Sequence, residues 1–105
     1  MNGELILQRY AAQERNFYNL SLSDTSLDNS NLSEADFSYA NFSRNHFIKT
    51  NFSQSKLVWA DLSQANLVEA NLKGADLSYA NLCWAKLQQI LAITAKFNNA
   101  RLNYA

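Results

Sequence analysis

Large apolar residues recur at every fifth position of the chain from Phe17 onward. Seventeen of the eighteen positions in this series hold Leu or Phe, and the remaining one holds Ala92. The series is Phe17, Leu22, Leu27, Leu32, Phe37, Phe42, Phe47, Phe52, Leu57, Leu62, Leu67, Leu72, Leu77, Leu82, Leu87, Ala92, Phe97 and Leu102. The residue two places before each member is usually small, with alanine at every such position from Ala60 to Ala85. The pattern therefore predicts two inward-facing positions in each unit of five.

A period of five excludes both regular elements for this part of the chain. Steps of five rotate by about 140° around an α-helix, which would spread the large residues over its whole surface. A flat strand alternates its faces with a period of two. The pattern instead predicts a coil in which five residues form one side and the chain turns at each corner, with coils stacked about 4.8 Å apart. The absence of proline agrees with this prediction, because proline would remove a donor from the ladder between coils.

Individual units carry a resemblance to a known family. The runs Ala65–Glu69, Ala70–Gly74 and Ala75–Tyr79 resemble the A-(D/N)-L-x-x unit of pentapeptide-repeat proteins. The resemblance covers about residues 15–104 and implies an all-β fold, a right-handed quadrilateral β-helix with four units per coil. The eighteen units would then form a solenoid of about four and a half coils, roughly 22 Å tall.

A short helix is predicted before the repeats. Asn2 has a side chain suited to a helix N-cap, and residues 3–14 place Leu7, Tyr10 and Ala11 on one face. A solenoid needs a cover over the open core of its first coil, so we expect this helix to be a lid. A membrane-binding or partner-binding helix is the alternative. The expected division is an N-terminal capping α-helix, residues 1–14, and a pentapeptide-repeat β-helix, residues 15–105.

Three departures from the pattern predict local disturbances. Residues 15–30 place larger side chains in the small position, so an irregular first coil is expected. Asn45 occupies an inward position and would need an internal hydrogen-bond partner. The segment Ile90–Ile93 exchanges large and small residues, which predicts a bulge or a change of path near residue 91.

Residues twenty apart are expected to stack, and two polar columns follow from this. One column alternates acidic and basic residues: Asp36, Lys56, Asp76 and Lys96. The other is a predicted ladder of amides: Asn31, Asn51 and Asn71. Exposed charge pairs contribute about 0–1 kcal/mol each, so we interpret both columns as structural.

Aromatic residues form a third outward column, with further aromatics one side along. The candidate partner-binding residues are Tyr39, Trp59, Tyr79 and Trp84. A partner-binding surface is one interpretation, since Trp and Tyr are enriched at interface hot spots. Aromatic stacking that only stabilises the coil, by about 0.5–1.5 kcal/mol per pair, is the other. A sugar or a nucleobase could also stack there, but basic residues do not follow the column as a phosphate path would require.

The C-terminal end carries apolar residues at positions that the pattern assigns to solvent. Leu91, Ile93 and Tyr104 are the candidate self-association residues. The chain reaches Ala105 without a helical or polar cap, so we expect a second copy to cover this end, end to end or by added strands.

Composition narrows the class of protein. The 105 residues suit one domain, and 48% hydrophobic against 17% charged residues exclude a disordered charged tail. Nine basic and nine acidic residues give no net charge, so the attraction of a basic domain for nucleic acid is missing and nucleic acid is not an expected partner. No run approaches the about 18 apolar residues of a membrane span, and Met1–Tyr10 lacks the layout of a signal peptide.

Catalytic chemistry is not indicated. His46 is the single histidine, and no second metal ligand shares its expected column. Cys83 is the single cysteine and is expected two coils away on another side, too far for a Cys–His pair. We expect no catalytic, metal or cofactor-binding residues. A lone cysteine suits a reducing compartment, so a cytoplasmic location is expected.

These observations predict a non-catalytic structural or protein-interaction module. Its partner would be a protein bound through the aromatic column, and a homodimer through the C-terminal end is a further expectation. The alternative comes from the resemblance, since some pentapeptide-repeat proteins mimic DNA and inhibit DNA gyrase. The neutral charge disfavours this alternative, because DNA carries about one negative charge per 1.7 Å of axis.

Overall fold

A computed structural model describes residues 2–105, and it begins with one helix, α1, at Gly3–Ala11. The Asn2 side chain accepts a hydrogen bond from the Leu5 N–H at 2.9 Å, which confirms the predicted N-cap. The helix buries Gly3 and Ile6. Tyr10 packs against the core as predicted, whereas Leu7 and Ala11 are exposed, so the predicted inward face is right for Tyr10 and wrong for the other two. The reason is that the coil below accepts the small Gly3 at close range and the Ile6 side chain one turn later.

From Asn16 onward the strands are reduced to single bridge residues, one in each unit of five. Fourteen parallel bridges join residues twenty apart, beginning with Asn16 to Asp36 and ending with Asn81 to Arg101. Four units therefore complete one coil. The molecule measures 35 × 26 × 23 Å along its principal axes.

Three backbone hydrogen bonds repeat between neighbouring coils. The N–H groups of Phe37 and Tyr39 donate upward to the carbonyls of Lys56 and Val58, at 2.8 and 2.9 Å. The Lys56 N–H donates downward to the carbonyl of Ala35, at 2.9 Å. This ladder uses three of the five N–H groups of each unit, so proline, which has no N–H, would break it at those positions.

Each corner is a turn whose third residue has a positive φ. In the turn from Phe37 to Ala40, the Ala40 N–H donates to the Phe37 carbonyl at 3.0 Å, and Tyr39 has φ +62°. Glycine fills this turn position only once, at Gly74. The other corners place residues with side chains in the left-handed region, at a cost of about 1–2 kcal/mol each that the stacked coils must offset.

The core is a column of large and small side chains that alternate around each coil. The Leu and Phe side chains of the period-five series are buried from Phe17 to Leu82, with Ala35, Ala40 and the run Ala60–Ala85 between them. One coil carries four phenylalanines whose ring centroids lie 4.9–5.2 Å from their neighbours in sequence. The predicted inward positions are thereby confirmed.

Asn45 has the internal partners that its position requires. Its Oδ1 accepts from the Thr25 N–H at 2.9 Å, and its Nδ2 donates to the Leu22 carbonyl at 2.8 Å. In turns such as the one from Phe37 to Ala40 the equivalent two backbone groups bond each other directly. The Asn45 amide is thus inserted into the turn of the coil below it.

One predicted disturbance is confirmed in part and one is wrong. The first coil, residues 16–35, keeps its bridges to the next coil at all four sides, but its turn from Leu22 to Thr25 is opened by Asn45, and its turn from Leu32 to Ala35 also lacks the direct backbone bond. Near residue 91 there is no bulge. Leu91 bridges Asn71, and its N–H donates to the Ala70 carbonyl at 3.0 Å. The hydrogen bonds between this unit and the coil below keep the backbone in register, although large and small side chains are exchanged here.

Candidate interaction surfaces

Three aromatic side chains form the aromatic stripe, Tyr39, Trp59 and Tyr79. Each is the third residue of its turn, with φ of +62°, +61° and +62°, so its side chain projects outward from a corner. The exposed fractions are 49%, 52% and 44%. The rings lie parallel, with centroids 6.5 Å apart for Tyr39 and Trp59 and 4.6 Å for Trp59 and Tyr79. Solvent therefore meets the ring edges and the polar tips of the stripe.

Tyr18 extends this surface and is absent from the sequence prediction. Its ring lies 5.4 Å from that of Tyr39 at an interplanar angle of 58°, and it is mostly exposed. Tyr18 is the second residue of its turn, so the rule that residues twenty apart stack does not find it. The signal that could have found it is its place twenty-one residues before Tyr39.

Trp84 lies at the next corner and belongs to a separate stack. Tyr104 covers its ring at 4.5 Å and 14°. Below it in the same column, Arg44 and Asp24 form a two-point ion pair with bonds of 2.7 and 2.9 Å. The four candidate partner-binding residues thus occupy two neighbouring corners of the solenoid.

One side of the solenoid separates these two corners, and we call it the polar face. Its outward side chains include Asn41, Ser43, Asp61, Ser63, Asn81 and Cys83, and Arg101 stacks on Asn81, so the face carries a carboxylate and a guanidinium. The Asn and Asp oxygens each accept the N–H two residues later, as in Asn81 to Cys83 at 3.0 Å. These bonds hold the side chains flat against their own turns.

The candidate self-association residues do not form one patch. Leu91 stacks on Asn71, and Ile93 follows it on that side. Tyr104 stacks on Trp84 at a different corner. All three are more than half exposed, and they share only the last twenty residues of the chain, the final coil.

The final coil, residues 86–105, presents an open edge. Eight of its N–H groups lack the upward bond that the equivalent groups one coil earlier make, as the Leu67 N–H does to the Lys86 carbonyl at 2.9 Å. The eight belong to Leu87, Gln89, Ala92, Thr94, Phe97, Asn99, Leu102 and Tyr104. The inward side chains Leu87 and Phe97 are only partly buried here, and Leu102 is 43% exposed. Backbone donors and apolar core therefore reach solvent together.

The charge column stacks as predicted but forms no direct pairs. Asp36, Lys56, Asp76 and Lys96 are joined by bridges. Within residues 2–105 the ion pairs are Arg9–Glu14 and Arg44–Asp24. The pKa of Asp76 is lowered mainly by the hydrogen bond from Ser78, with a smaller effect of the two lysines. The side chains of Asn31, Asn51 and Asn71 also bond within their own turns and not to each other, since each Oδ1 accepts a hydrogen bond from the N–H two residues later.

His46 and Cys83 remain apart. His46 is exposed and bridges Ser26 and Asn66, and Cys83 is a half-buried free thiol on the polar face. In the described part of the chain, no three His, Cys, Asp or Glu side chains cluster as metal ligands do. No helix in residues 2–105 has the length and apolar character needed to cross a bilayer.

A solenoid built from five-residue units, whose exposed side chains stand in outward columns, is a β-helical repeat protein. The sequence profile of pentapeptide repeats matches residues 16–54, 55–91 and 75–105, and the chain belongs to the pentapeptide repeat family. Members of this family form right-handed quadrilateral β-helices and are generally structural or interaction modules. The resemblance inferred from the sequence is thereby confirmed.

Two solved structures of pentapeptide repeat proteins are similar to this chain. HetL of Nostoc sp. strain PCC 7120, involved in heterocyst differentiation regulation, is 44% identical over 83% of this chain, with a TM-score of 0.81. The match spans 37% of HetL. A second pentapeptide repeat protein from the same cyanobacterium is 30% identical, with 96% of this chain and 95% of that chain covered and a TM-score of 0.85.

A more distant structure supports the fold alone. A pentapeptide repeat protein of the Arabidopsis thaliana thylakoid lumen is 22% identical over 86% of this chain and 63% of its own, with a TM-score of 0.80. No curated protein matches the chain. The cytoplasmic location expected from Cys83 stays a prediction, since the fold also occurs in a lumen.

Proposed function

We propose that this protein is a non-catalytic interaction module that binds a protein partner through the aromatic stripe and Trp84. The observation that carries the proposal is the stacked, half-exposed column Tyr39, Trp59 and Tyr79. Clusters of exposed Trp and Tyr supply much of the binding energy at protein interfaces.

Turn chemistry does not explain why these corners are aromatic. The third turn position has a positive φ, which favours Gly and Asn and disfavours bulky side chains. Outside the aromatic corners the same position holds mainly polar and charged residues, such as Asn29, Gln64 and Glu69. Stacking returns about 0.5–1.5 kcal/mol per pair, comparable to the cost of the backbone conformation. Stability alone is therefore a weak reason to place Trp59 at this corner, and partner binding supplies a stronger one.

The test is capture of a partner from the source organism with the wild type and two variants. Trp59→Asn removes the central ring and keeps a side chain that the turn position favours. Gln89→Asn makes the same kind of change at the same turn position in another column. We expect a protein retained by the wild type and Gln89→Asn but lost by Trp59→Asn. Equal recovery by all three would contradict the proposal and return the stripe to a stabilising role.

We also propose that the final coil self-associates with a second copy. The support is its row of unpaired N–H groups beside the partly exposed Leu87, Phe97 and Leu102. A two-fold pair of such ends would cover apolar core and edge at once. Sedimentation equilibrium tests this, with Phe97→Asp expected to shift a dimer to monomer. A wild-type monomer at tens of micromolar would count against it.

Charge supports these proposals over the gyrase alternative. A DNA mimic needs a continuous acidic surface. Here Lys56 and Lys96 interrupt the column of Asp36 and Asp76, and the net charge is zero.

A further inference from the structure

One side of the solenoid carries the charge column, and we call it the charged face. Its charges occupy successive coils in the order Asp36, Lys56, Asp76 and Lys96. The other outward column of this side holds no aromatic side chain in the same coils: Ser38, Val58, Ser78 and Asn98. The two carboxylates are half-buried and accept hydrogen bonds from the N–H groups two residues later, at 2.9 and 3.0 Å. Both lysines are exposed, so short carboxylates alternate with longer, projecting ammonium groups.

The lysines of this face do not bond the carboxylates beside them. The ion pairs found within residues 2–105 lie elsewhere, and neither Lys56 nor Lys96 takes part in one. Each ammonium group carries three N–H donors, which a carboxylate from outside the chain can accept. The charged face therefore offers a partner four charges, two of each sign.

The order of the signs is complementary to itself when a second copy lies against this face with its solenoid axis reversed. Asp36 then faces Lys96 of the second copy and Lys56 faces its Asp76, and two-fold symmetry repeats both contacts. A slip of one coil, about 4.8 Å, would place every charge that has a charge opposite it against its own sign. A parallel pair aligned on the column would do the same. The charges therefore select one direction and one register.

The neighbouring columns accept the same register. In the two middle coils Val58 faces Ser78 of the second copy, and at one margin Trp59 faces its Tyr79. At the other margin the one charged residue of the paired coils is Glu34, which faces a threonine, Thr94. No column of this side brings two like charges together, so the whole face is compatible with the pairing of its charges.

The spacing of the charges fits a second solenoid better than an extended strand. Charges in successive coils lie about 4.8 Å apart, and a second stack of coils repeats this distance. A β-strand laid along the solenoid axis presents a side chain about every 6.6 Å and falls out of step. Molecular dimensions of 35 × 26 × 23 Å give a side at most roughly 900 Å², close to the about 800 Å² per partner of a standard interface. The face is large enough for a reversible dimer.

We propose that the charged face binds a second copy of this chain, antiparallel and related by a two-fold axis. Four ion pairs join the copies, two between Asp36 and Lys96 and two between Lys56 and Asp76. The lysine side chains cross the interface, and the carboxylates stay on their own turns. Exposed pairs are weak singly and screened by salt, so the dimer forms at low ionic strength. The inference goes beyond the proposed function, because the open edge of the final coil takes no part in this contact.

The experiment permutes the charges without changing the composition. Lys56→Asp combined with Asp76→Lys gives the order acidic, acidic, basic, basic, which is still complementary to itself when reversed. Lys56→Asp combined with Asp36→Lys gives basic, acidic, acidic, basic, in which every charge meets its own sign in the proposed register. Each permutation removes one carboxylate bond to its own turn, so the two are matched in their cost to the fold.

Sedimentation equilibrium measures the association of the wild type and both permutations. The ionic strengths are about 0.01 M, where the Debye length is about 30 Å, and about 1 M, where it is about 3 Å. Each protein is measured with the native Phe97 and with Phe97→Asp, which separates this contact from that of the final coil. Thermal unfolding by circular dichroism shows whether both permutations keep the fold.

We expect the wild type and the self-complementary permutation to associate at low salt and to dissociate at high salt. The other permutation should have a dissociation constant at least about tenfold higher at low salt. Equal association of the two permutations, or a wild type with Phe97→Asp that stays monomeric at low salt, would overturn the inference. Trp59 is intact in both permutations, so Trp59-dependent capture of a partner tests the proposed function separately.

Discussion

At the N-terminal end of the solenoid a helix lies over the first coil, whereas the final coil meets solvent directly. Ile6 of α1 is fully buried, and the Tyr10 hydroxyl donates to the Ser33 carbonyl of the first coil at 2.8 Å. Arg15 stacks 3.6 Å over the Tyr10 ring and donates to the carbonyls of Tyr10 and Glu14. At the other end Leu102 is 43% exposed, and eight N–H groups lack the bond to a further coil that their equivalents one coil earlier make.

The difference shows that the five-residue unit does not protect its own ends. Each coil is stable because a neighbour lies above and below it, as in other quasi-one-dimensional proteins. α1 supplies the first coil with an apolar contact through Ile6 and a hydrogen bond from Tyr10. The final coil has neither contact in this structure. An inward side chain therefore contributes more to the free energy of unfolding in a middle coil than in the final coil.

The largest expected effect tests this height dependence at one side-chain position. Leu67→Lys places a charge in the fully buried middle of the core, and we expect a loss of more than about 4 kcal/mol. Leu102→Lys makes the same change in the same position of the unit, where the side chain can reach solvent, and should cost less than about 1 kcal/mol. Urea unfolding followed by circular dichroism measures both. Similar losses would show that the final coil is protected after all.

A second test concerns the helix that covers the first coil. Ile6→Ala removes a fully buried side chain and should destabilise the protein by about 2–4 kcal/mol. Leu7→Ala is the matched control, because Leu7 is exposed on the other side of α1 and should cost under about 1 kcal/mol. If the order of the two losses were reversed, the helix would present the face first predicted from the sequence.

A third test concerns the polar insertion between the first two coils. Asn45→Ala removes both bonds to the turn from Leu22 to Thr25, and we expect a loss of about 1–2 kcal/mol with faster hydrogen exchange at the Thr25 amide. Thr50→Val is the control. It removes one bond to the Leu27 carbonyl, which keeps a second donor, Ser30, at 3.2 Å. An equal effect of both variants would mean that Asn45 does not hold its turn open.

The smallest expected effect is a change in the pKa of Asp24, which lies in the first coil. The hydrogen bond from Arg44 is the main cause that lowers the pKa of Asp24. Since the pKa is lower in the folded state than in the unfolded one, the stabilisation is present above the ordinary pKa of Asp and is lost as pH falls through the folded value. Arg44→Gln should raise the pKa of Asp24 toward its ordinary value in an NMR titration of the carboxyl carbon. Lys49→Gln should leave it unchanged, and an Asp24 pKa insensitive to Arg44 would contradict the pairing.

The period of five was sufficient to predict the inward positions and the stacking of residues twenty apart. It succeeds because one backbone ladder repeats along the chain, so a side-chain pattern maps directly onto a face. The same ladder explains the errors. Unusual side chains near Leu91 suggested a disturbed path, but hydrogen bonds to the adjacent coil hold the backbone in register there. In the first coil the register is also kept, while the turn from Leu22 to Thr25 opens.

The candidate surfaces were predictable only as columns. The stacking of Trp59 on Tyr79 follows from their separation of twenty. The contact of Tyr18 with Tyr39 does not, because it joins different turn positions. Nor could apolar character alone show that Leu91 and Tyr104 lie at different sides of the final coil. Contacts across columns depend on side-chain rotamers, which a periodic pattern does not specify.

The four-unit coil has a consequence for how such a gene can change length. Deleting one unit of five between Trp59 and Tyr79 would preserve every inward position, yet Tyr79 would move to the corner above Gln54. Inserting one unit would place it above Gln64 instead. Loss or duplication of single units therefore reshuffles the outer surface while the core tolerates it. Only insertions of twenty residues lengthen the protein and keep its outward columns. A five-residue insertion or deletion can thus preserve folding and disrupt binding, whereas a twenty-residue one can preserve both.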